Sequence, residues 1–334
     1  SGQPGAHTCL QGRSVVLRPR SSKRYLAKME TPPLYSTDVR VSSVVDSFIN
    51  TARTERTLTG ESLPKYRASI ACVIRTVGDP LVGEVNWNTF LDLKQKLIAR
   101  RAGPSYINGV IHALKGLLNH CRHQLGLPVA DFSTVRVMRV PRRAVIYLTT
   151  DELEQFISTI KIQHRTGRVN SAGLCFRTLV EVLAGTGMRV SEALMLDIST
   201  IDWKGHDARI IGKGGKQRTI FFTESAVRWS SRYLEFRHAH AGPLFVSSRS
   251  GQRLTRHEAQ RLCRIHARRS GIGKHVTLHV LRHTFATTLL KNGCPIGHIQ
   301  GMLGHDRLET TCRYYLGLLN DQDLKKAHER FLER

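Results

Sequence analysis

The sequence predicts a mainly α-helical protein with one small β-sheet, arranged as two domains. A length of 334 residues favours two domains over one. Apolar residues recur at helical spacing through most of the chain, which indicates amphipathic helices. Residues 208–222 instead place β-branched and aromatic residues on both sides of a glycine-rich centre, the pattern of a β-hairpin. We therefore expect a helical first domain and an α+β second domain.

The composition is strongly basic. The chain has 51 Lys and Arg against 26 Asp and Glu, a formal net charge of +25. This excess favours a polyanionic partner, because each neutralised phosphate releases counterions; an anionic membrane surface is the alternative. No apolar run approaches the roughly 20 residues that span a bilayer, and the N-terminus lacks a signal peptide's hydrophobic region. We therefore expect a soluble, cytoplasmic protein without a membrane partner.

Metal-binding patterns are weak in this sequence. Seven cysteines are scattered without a C-x-x-C pair, which is typical of reduced thiols rather than of a disulfide framework or a zinc site. His279 and His283 are four residues apart, but no acidic ligand or H-E-x-x-H pattern accompanies them. The sequence therefore predicts no metal site.

The first part of the chain predicts an arm and a helical bundle. Residues 1–37 are basic and lack periodicity, so they predict a flexible arm that either follows a DNA backbone or only aids solubility. Residues 38–130 carry four apolar helical stripes, with Asn86 or Asn88 as a cap for the third helix and Pro104 as the start of the fourth. Four such helices make a small bundle.

Residues 131–147 predict a basic linker. They lack a helical stripe and contain Pro141 together with four arginines, Arg136, Arg139, Arg142 and Arg143. These side chains would lie against a duplex if two domains closed around it, although a solvated connector explains them nearly as well.

The second domain is predicted to span residues 148–319. Thr149 and Glu152 have the spacing of a capping box at its first helix. Further along, a Gly185-Thr186-Gly187 turn precedes Arg189, which stands where a loop becomes a helix and where backbone N–H groups favour an anion. The alternative is a surface arginine paired with Glu192.

The predicted hairpin contains Lys213 and Lys216 in its glycine-rich centre. A phosphate-binding P-loop is excluded, because Gln217 follows Lys216 where Ser or Thr is needed. A KH-type RNA-binding loop would join two helices, whereas both flanks here are strand-like. A basic helix over residues 254–272 follows, and Arg256, Arg261 and Arg264 are its candidate DNA contacts, with a solvated helix as the alternative.

Residues 277–315 combine phosphate-binding residue types with a nucleophile. His279 and Arg282 are three apart, so they project from one face of a helix. Gly304 ends a later apolar helix and leaves His305 just beyond it, and a Tyr314-Tyr315 pair follows. Short helices can therefore bring these side chains together.

These motifs resemble the tyrosine recombinase (integrase) family. The signature there is H-x-x-R, then L-G-H, then a tyrosine nine residues later, which selects Tyr314. The G-x-R-x-S-E string at Arg189 is similar to the family's first catalytic arginine motif, and the family's hairpin lysine aligns with Lys213 rather than Lys216. The resemblance implies a two-domain C-shaped clamp, with residues 38–130 as a core-binding domain and a tail helix, residues 320–334, exchanged between protomers.

The resemblance also implies a mechanism. Arg189, Arg282 and His305 would hold the phosphate, Tyr314 would attack it with His279 as the proton acceptor, and Lys213 would protonate the departing 5′-hydroxyl. The expected product is a 3′-phosphotyrosyl enzyme, formed without a cofactor.

The implied function is site-specific DNA recombination, with integration or excision of a mobile element as the expected role. Dimer resolution by the same chemistry, a type IB topoisomerase and a catalytically silent DNA-binding regulator are the alternatives. The implied partners are double-stranded DNA, a homotetramer and accessory DNA-bending or directionality proteins, which would place the protein at the nucleoid.

Overall fold

The computed structural model describes residues 38–55, 62–141, 144–212 and 215–304, and six single positions beyond them. Internal contacts divide the chain into two compact units, Ser1–Arg142 and Arg143–Arg334. The division falls inside the predicted linker. The predicted arm, residues 1–37, and most of the predicted tail, residues 320–334, lie outside the described residues.

The described part of the first unit is a bundle of α-helices. The helices are α1 (Val45–Thr54), α2 (Ser62–Val77), α3 (Trp87–Ala99) and α4 (Pro104–His123). The predicted cap of α3 is confirmed: the Asn86 side chain accepts hydrogen bonds from the backbone N–H groups of Asn88 and Thr89. Pro104 occupies the first turn of α4, where its missing N–H has no helical partner to lose. The apolar stripes meet in one core that includes Ile70, Leu93 and Leu114.

The extended segment after α4 packs on this first unit. Phe132 and Val135 are buried in the bundle core, and the Phe132 ring lies 4.9 Å from that of Phe90. Asn108 and Met138 exchange two hydrogen bonds of 2.8 Å between the Asn108 side chain and the Met138 backbone. The backbone around Arg136 and Arg139 is therefore held against the bundle by Phe132, Val135 and Met138.

The second unit contains most of the helices and the sheet. Its α-helices in the described residues are α5 (Thr150–Ser158), α6 (Ser171–Thr186), α7 (Val190–Leu194), α8 (Glu224–Arg237), α9 (Arg256–Ser270), α10 (Leu278–Lys291) and α11 (Ile296–Leu303). The predicted capping box at α5 is confirmed by reciprocal hydrogen bonds between Thr149 and Glu152. The central helix α6 is buried on most sides and forms the middle of the core together with α8 and α10.

The sheet is small and antiparallel. Its strands are β1 (Ile201–Asp202), β2 (Asp207–Ile211) and β3 (Gln217–Phe221), in the order β1-β2-β3. The β2–β3 register pairs Ile211 with Gln217, which confirms the predicted hairpin. Lys213 and Gly214, at its centre, lie outside the described residues. The fold is therefore the predicted one, mainly α with a small β-sheet.

No helix of the described residues is long and apolar enough to cross a bilayer.

Candidate active site

Three of the predicted catalytic residues can be placed directly. Arg189, His279 and Arg282 are described, whereas Lys213, His305 and Tyr314 lie outside the described residues. The residues just before two of them, Gly212 and Gly304, are described. The structure therefore shows where the chain leads into Lys213 and into His305.

The C-terminal end of α11 is the centre of the site. The last carbonyls of a helix have no partner within the helix and carry a partial negative charge. Three arginines donate to three consecutive carbonyls here. Arg218 Nε donates to Met302 O at 3.2 Å, Arg282 Nη2 to Leu303 O at 2.6 Å, and Arg189 Nη2 to Gly304 O at 3.5 Å.

Arg282 is the most buried of the three arginines. It stands in the first turns of α10, is 2 % exposed, and also donates from Nη1 to Gly187 O at 2.8 Å. Gly187 ends α6 with a φ of 64°, and an added Cβ there would lie 2.3 Å from the Phe285 ring. Glycine thus allows both the left-handed turn and the close approach that set this carbonyl.

Arg189 is held by Glu192 of the helix that follows it. It precedes α7, and its backbone N–H donates to Glu192 Oε2 at 2.8 Å while its Nη1 donates to Oε1 at 2.9 Å. The pairing with Glu192, the alternative to a functional role, is therefore present. It does not remove Arg189 from the site, because the same guanidinium reaches Gly304 O and its side chain is 32 % exposed.

Glu192 is shared between two arginines. Arg218 Nη1 and Nη2 donate to its two carboxylate oxygens at 3.1 and 2.7 Å, and both oxygens also accept a bond from Arg189. Burial alone would raise the pKa of Glu192, but the hydrogen bonds from Arg218 and Arg189 hold that pKa below its ordinary value. The carboxylate is therefore ionised at neutral pH and compensates part of the arginine charge.

Sequence reasoning did not select Arg218. A signal for it exists: the side chains at 218 and 220 share one face of β3, and Ile220 is buried in the core. An arginine on the inward face of a short strand requires a charged or carbonyl partner, because burying an unpaired charge is costly.

His279 lies beside this cluster. It stands in the first turn of α10, and its ring meets the His283 ring edge-on at 4.5 Å. Burial lowers the pKa of His279, and the positive charges of Arg282, Arg189 and Arg256 lower it further. The imidazole is therefore neutral at pH 7 and able to accept a proton.

The predicted DNA contacts lie on exposed surfaces. Arg256, Arg261 and Arg264 are exposed along α9, and Arg256 is near enough for its charge to act on His279. Arg136 and Arg139 are exposed on the segment after α4, and Lys216 is exposed beside the hairpin turn. Arg142 and Arg143 lie outside the described residues.

The site has the chemistry of an oxyanion site. Three guanidinium groups surround one helix end, and a neutral imidazole lies near two of them, in a chain of net charge +25. Guanidinium forks match phosphate geometry. Among the described residues, no group of three or more His, Cys, Asp or Glu side chains is placed to hold a metal ion.

Comparisons with known proteins agree with this chemistry. The Phage integrase family matches residues 147–320. The tyrosine recombinase XerC of Proteus mirabilis is 28 % identical over 299 residues, covering 86 % of this chain and 93 % of the relative. XerC of Chlamydia caviae is 31 % identical over 228 residues, covering 67 % of this chain and 70 % of the relative.

Solved structures share the fold. XerH recombinase bound to a palindromic difH substrate superposes with a TM-score of 0.66 at 19 % identity, covering 86 % of this chain and 85 % of that chain. The Tn1549 transposon integrase in complex with circular intermediate DNA has a TM-score of 0.67 at 18 % identity, covering 87 % of this chain and 100 % of that chain. A lambda integrase tetramer bound to a Holliday junction has a TM-score of 0.68 at 16 % identity, covering 84 % of this chain and 78 % of that chain.

Proposed function

Because the chain belongs to the phage integrase family and is a tyrosine recombinase, an enzyme that cuts and rejoins DNA, we propose that it recombines specific sites through a 3′-phosphotyrosyl intermediate. One observation carries the proposal. Arg189 and Arg282, from separate elements, converge with a neutral His279 on the turn that leads into residue 305. A phosphodiester at this turn would meet fixed positive charge with a proton acceptor nearby.

In the proposed reaction, Arg189, Arg282 and His305 bind the nonbridging oxygens of the scissile phosphate. Their charge stabilises the additional negative charge of the transition state. The Tyr314 oxygen attacks phosphorus and passes its proton to His279, while the bond to the 5′-oxygen breaks and that oxygen takes a proton from Lys213. Because the new phosphotyrosyl ester keeps the bond energy, a 5′-hydroxyl from another strand can reverse the step.

A tyrosine nucleophile needs both a base and nearby positive charge in order to react. Its unperturbed pKa is about 10, so at neutral pH it attacks only when a base takes its proton and positive charge favours the phenolate. His279 is suited to the task because its own lowered pKa keeps it unprotonated.

The proposed partner is double-stranded DNA, bound by a tetramer of this chain. The exposed arginines of α9, Arg136, Arg139 and Lys216 supply phosphate contacts, in keeping with the net charge of +25. The lambda integrase structure is itself a tetramer on a Holliday junction, which supports the same assembly here. Such an enzyme would work at the nucleoid, with accessory DNA-bending or directionality proteins as further candidates.

We propose integration or excision of a mobile element as the biological role. The solved fragment of the Tn1549 transposon integrase, which is matched over its whole length, supports this role at the level of fold. The curated relatives at 28 and 31 % identity are Xer recombinases, which makes dimer resolution the second candidate.

A covalent adduct tests the chemistry and the role together. The protein is incubated with a library of nicked duplexes that carry a randomised core, and adducts that resist denaturant are recovered and sequenced. We expect adducts from wild type and from Tyr315→Phe, and none from Tyr314→Phe. Recovered sequences that recur at both ends of an element support the first role, whereas a single chromosomal or plasmid site supports the second.

Two outcomes would overturn the proposal. Absence of any wild-type adduct would favour a catalytically silent DNA-binding regulator. Relaxation of supercoiled plasmid that lacks the recovered site would favour a type IB topoisomerase, because a recombinase requires paired sites.

A further inference from the structure

Arg218 lies at the junction of three parts of the site. Its side chain is 11 % exposed, and its two Nη groups donate to both oxygens of Glu192. Its Nε donates to Met302 O on α11. One guanidinium thus contacts the carboxylate that orients Arg189 and the helix end that precedes residue 305.

Two glycines mark how closely the guanidinium is enclosed. An added Cβ at Gly304 would lie 2.8 Å from Arg218 Nη1 and 3.0 Å from its Cδ. An added Cβ at Gly212 would lie 3.1 Å from the same Nη1. A side chain at Gly304 would require Arg218 to shift, and one at Gly212 would make a tight contact with it, so the guanidinium packs closely against both backbones.

These glycines have functional neighbours. Gly212 immediately precedes Lys213, and Gly304 immediately precedes His305. Through Glu192, Arg218 is also one step from Arg189. The contacts of Arg218 therefore reach the backbone next to Lys213 and next to His305 and, through Glu192, the side chain of Arg189.

We propose that Arg218 is a positioning residue, which fixes the hairpin, the α11 end and the Glu192–Arg189 pair in one arrangement around the scissile phosphate. This inference rests on the proposed roles of Arg189, Lys213 and His305. Arg218 does not touch the phosphate itself. By sharing Glu192, it also keeps this carboxylate from neutralising Arg189 alone.

The test compares Arg218→Ala and Arg218→Lys with Arg177→Met. Arg177 pairs with Glu181 in a similarly enclosed ion pair, with side chains 20 % and 12 % exposed, but contacts neither α11 nor the hairpin in the described structure. The probe is a nicked duplex recovered with the wild-type enzyme. For Arg218→Ala we expect the single-turnover rate of adduct formation to fall by about 100-fold, the effect of a misplacement of about 1 Å, with the duplex Kd changed less than about threefold.

The controls separate positioning from folding. Arg218→Lys keeps the charge but not the two-pronged contact, so its rate should lie between those of Arg218→Ala and wild type. Added methylguanidinium should partly restore the rate of Arg218→Ala and leave Arg177→Met unchanged. Equal rate losses in Arg218→Ala and Arg177→Met, or no rescue, would overturn the proposal.

A measurement without DNA keeps this test independent of the proposed function. The Gly212 N–H donates to Lys216 O, and the Gly304 N–H donates to Gly301 O. In Arg218→Ala, hydrogen exchange should accelerate at these two amides more than at the core amides of α6. Unchanged exchange at both would refute the role of Arg218 even if wild type forms adducts. Accelerated exchange in a protein that forms no adduct would show that Arg218 fixes these two segments and that the proposed function has failed.

Discussion

Arg282 illustrates how a charged side chain is accommodated inside this protein. Its guanidinium bridges Gly187 O at the C-terminal end of α6 and Leu303 O at the C-terminal end of α11. Both helix ends carry partial negative charge, so the cation lies where two helix dipoles favour it. Because these two contacts are to backbone carbonyls, the fold itself helps to fix the arginine.

His279 leads to a prediction about pH. Its pKa is lowered from the ordinary 6.5, so the neutral form predominates at pH 7 and is lost as the pH falls through the lowered value. We expect adduct formation to slow along that acidic limb, and His279→Gln to be slow throughout and to lack the limb. Single-turnover rates between about pH 5 and pH 8 measure this.

His298→Gln is the matched control for this limb, because His298 is exposed on α11. It should keep the wild-type profile. An NMR titration that places the pKa of His279 above 6.5, or an acidic limb that persists in His279→Gln, would contradict its role as the proton acceptor.

At the scale of elements, three helices end in the same way with different surroundings. α6, α9 and α11 are each followed by a glycine in the left-handed conformation, Gly187, Gly271 and Gly304. The conformation is common to all three, but an added Cβ would meet Phe285 at Gly187, Arg218 at Gly304 and nothing within 4 Å at Gly271. Only two of these caps are therefore tied to the site.

This difference predicts unequal effects of the same substitution. Gly271→Ala should cost about 1 kcal/mol of unfolding free energy, the strain of an L-residue at positive φ. Gly187→Ala should cost more, because it also displaces Phe285 and shifts the carbonyl that holds Arg282. Urea unfolding measures both free energies, and equal losses would contradict the close contact at Gly187.

A second element-scale prediction concerns α9. His266 is buried, stacks on Phe176 at 5.3 Å and lies with Nδ1 3.1 Å from Thr159 Oγ1, which joins α9 to α6 and the end of α5. Burial, and then the charge of Arg269, lower the pKa of His266 below 6.5. The unfolded chain therefore takes up this proton first as the pH falls. The contribution of neutral His266 to the unfolding free energy is therefore present above the unfolded-state pKa of about 6.5. It is lost as the pH falls toward the folded-state pKa.

We expect the unfolding free energy of wild type to decrease between pH 7 and pH 5, and His266→Leu to show a smaller decrease. His257→Leu, at an exposed position of the same helix, is the control that should keep the wild-type slope. Identical slopes in wild type and His266→Leu would show that His266 is not the titrating group. Urea titrations at several pH values provide the comparison.

At the scale of the whole molecule, patterns along the chain predict much of the fold and only part of the site. Helical stripes and the capping residues Asn86 and Thr149 give the helices, because these features act within a few residues. Family spacing selects Arg189 and Arg282. Arg218 was not predicted as a site residue, because its partners Glu192 and Met302 are 26 and 84 positions away along the chain. Only folding brings them together.

The charge of the molecule gives a prediction about salt. Affinity for a random-sequence duplex should fall steeply as salt rises, with a slope reduced by about 0.9 for each phosphate contact removed. Replacing Arg256, Arg261 and Arg264 by Gln should lower the slope measured by fluorescence anisotropy. The same charge removed at exposed Lys204, Arg228 and Arg232 should leave the slope near that of wild type, and equal reductions would show that α9 is not a preferred DNA contact.

The three arginines on the α11 carbonyls also have an entropic consequence. Long side chains lose on the order of 1.5–2 kcal/mol of rotamer freedom when they are fixed. Here that freedom is lost when the chain folds, since Arg189, Arg218 and Arg282 are already bound to Gly304, Met302 and Leu303. An arriving anion has little left to order at these side chains. The conformational cost of ordering these three arginines therefore falls on the folding equilibrium and is absent from the encounter with DNA.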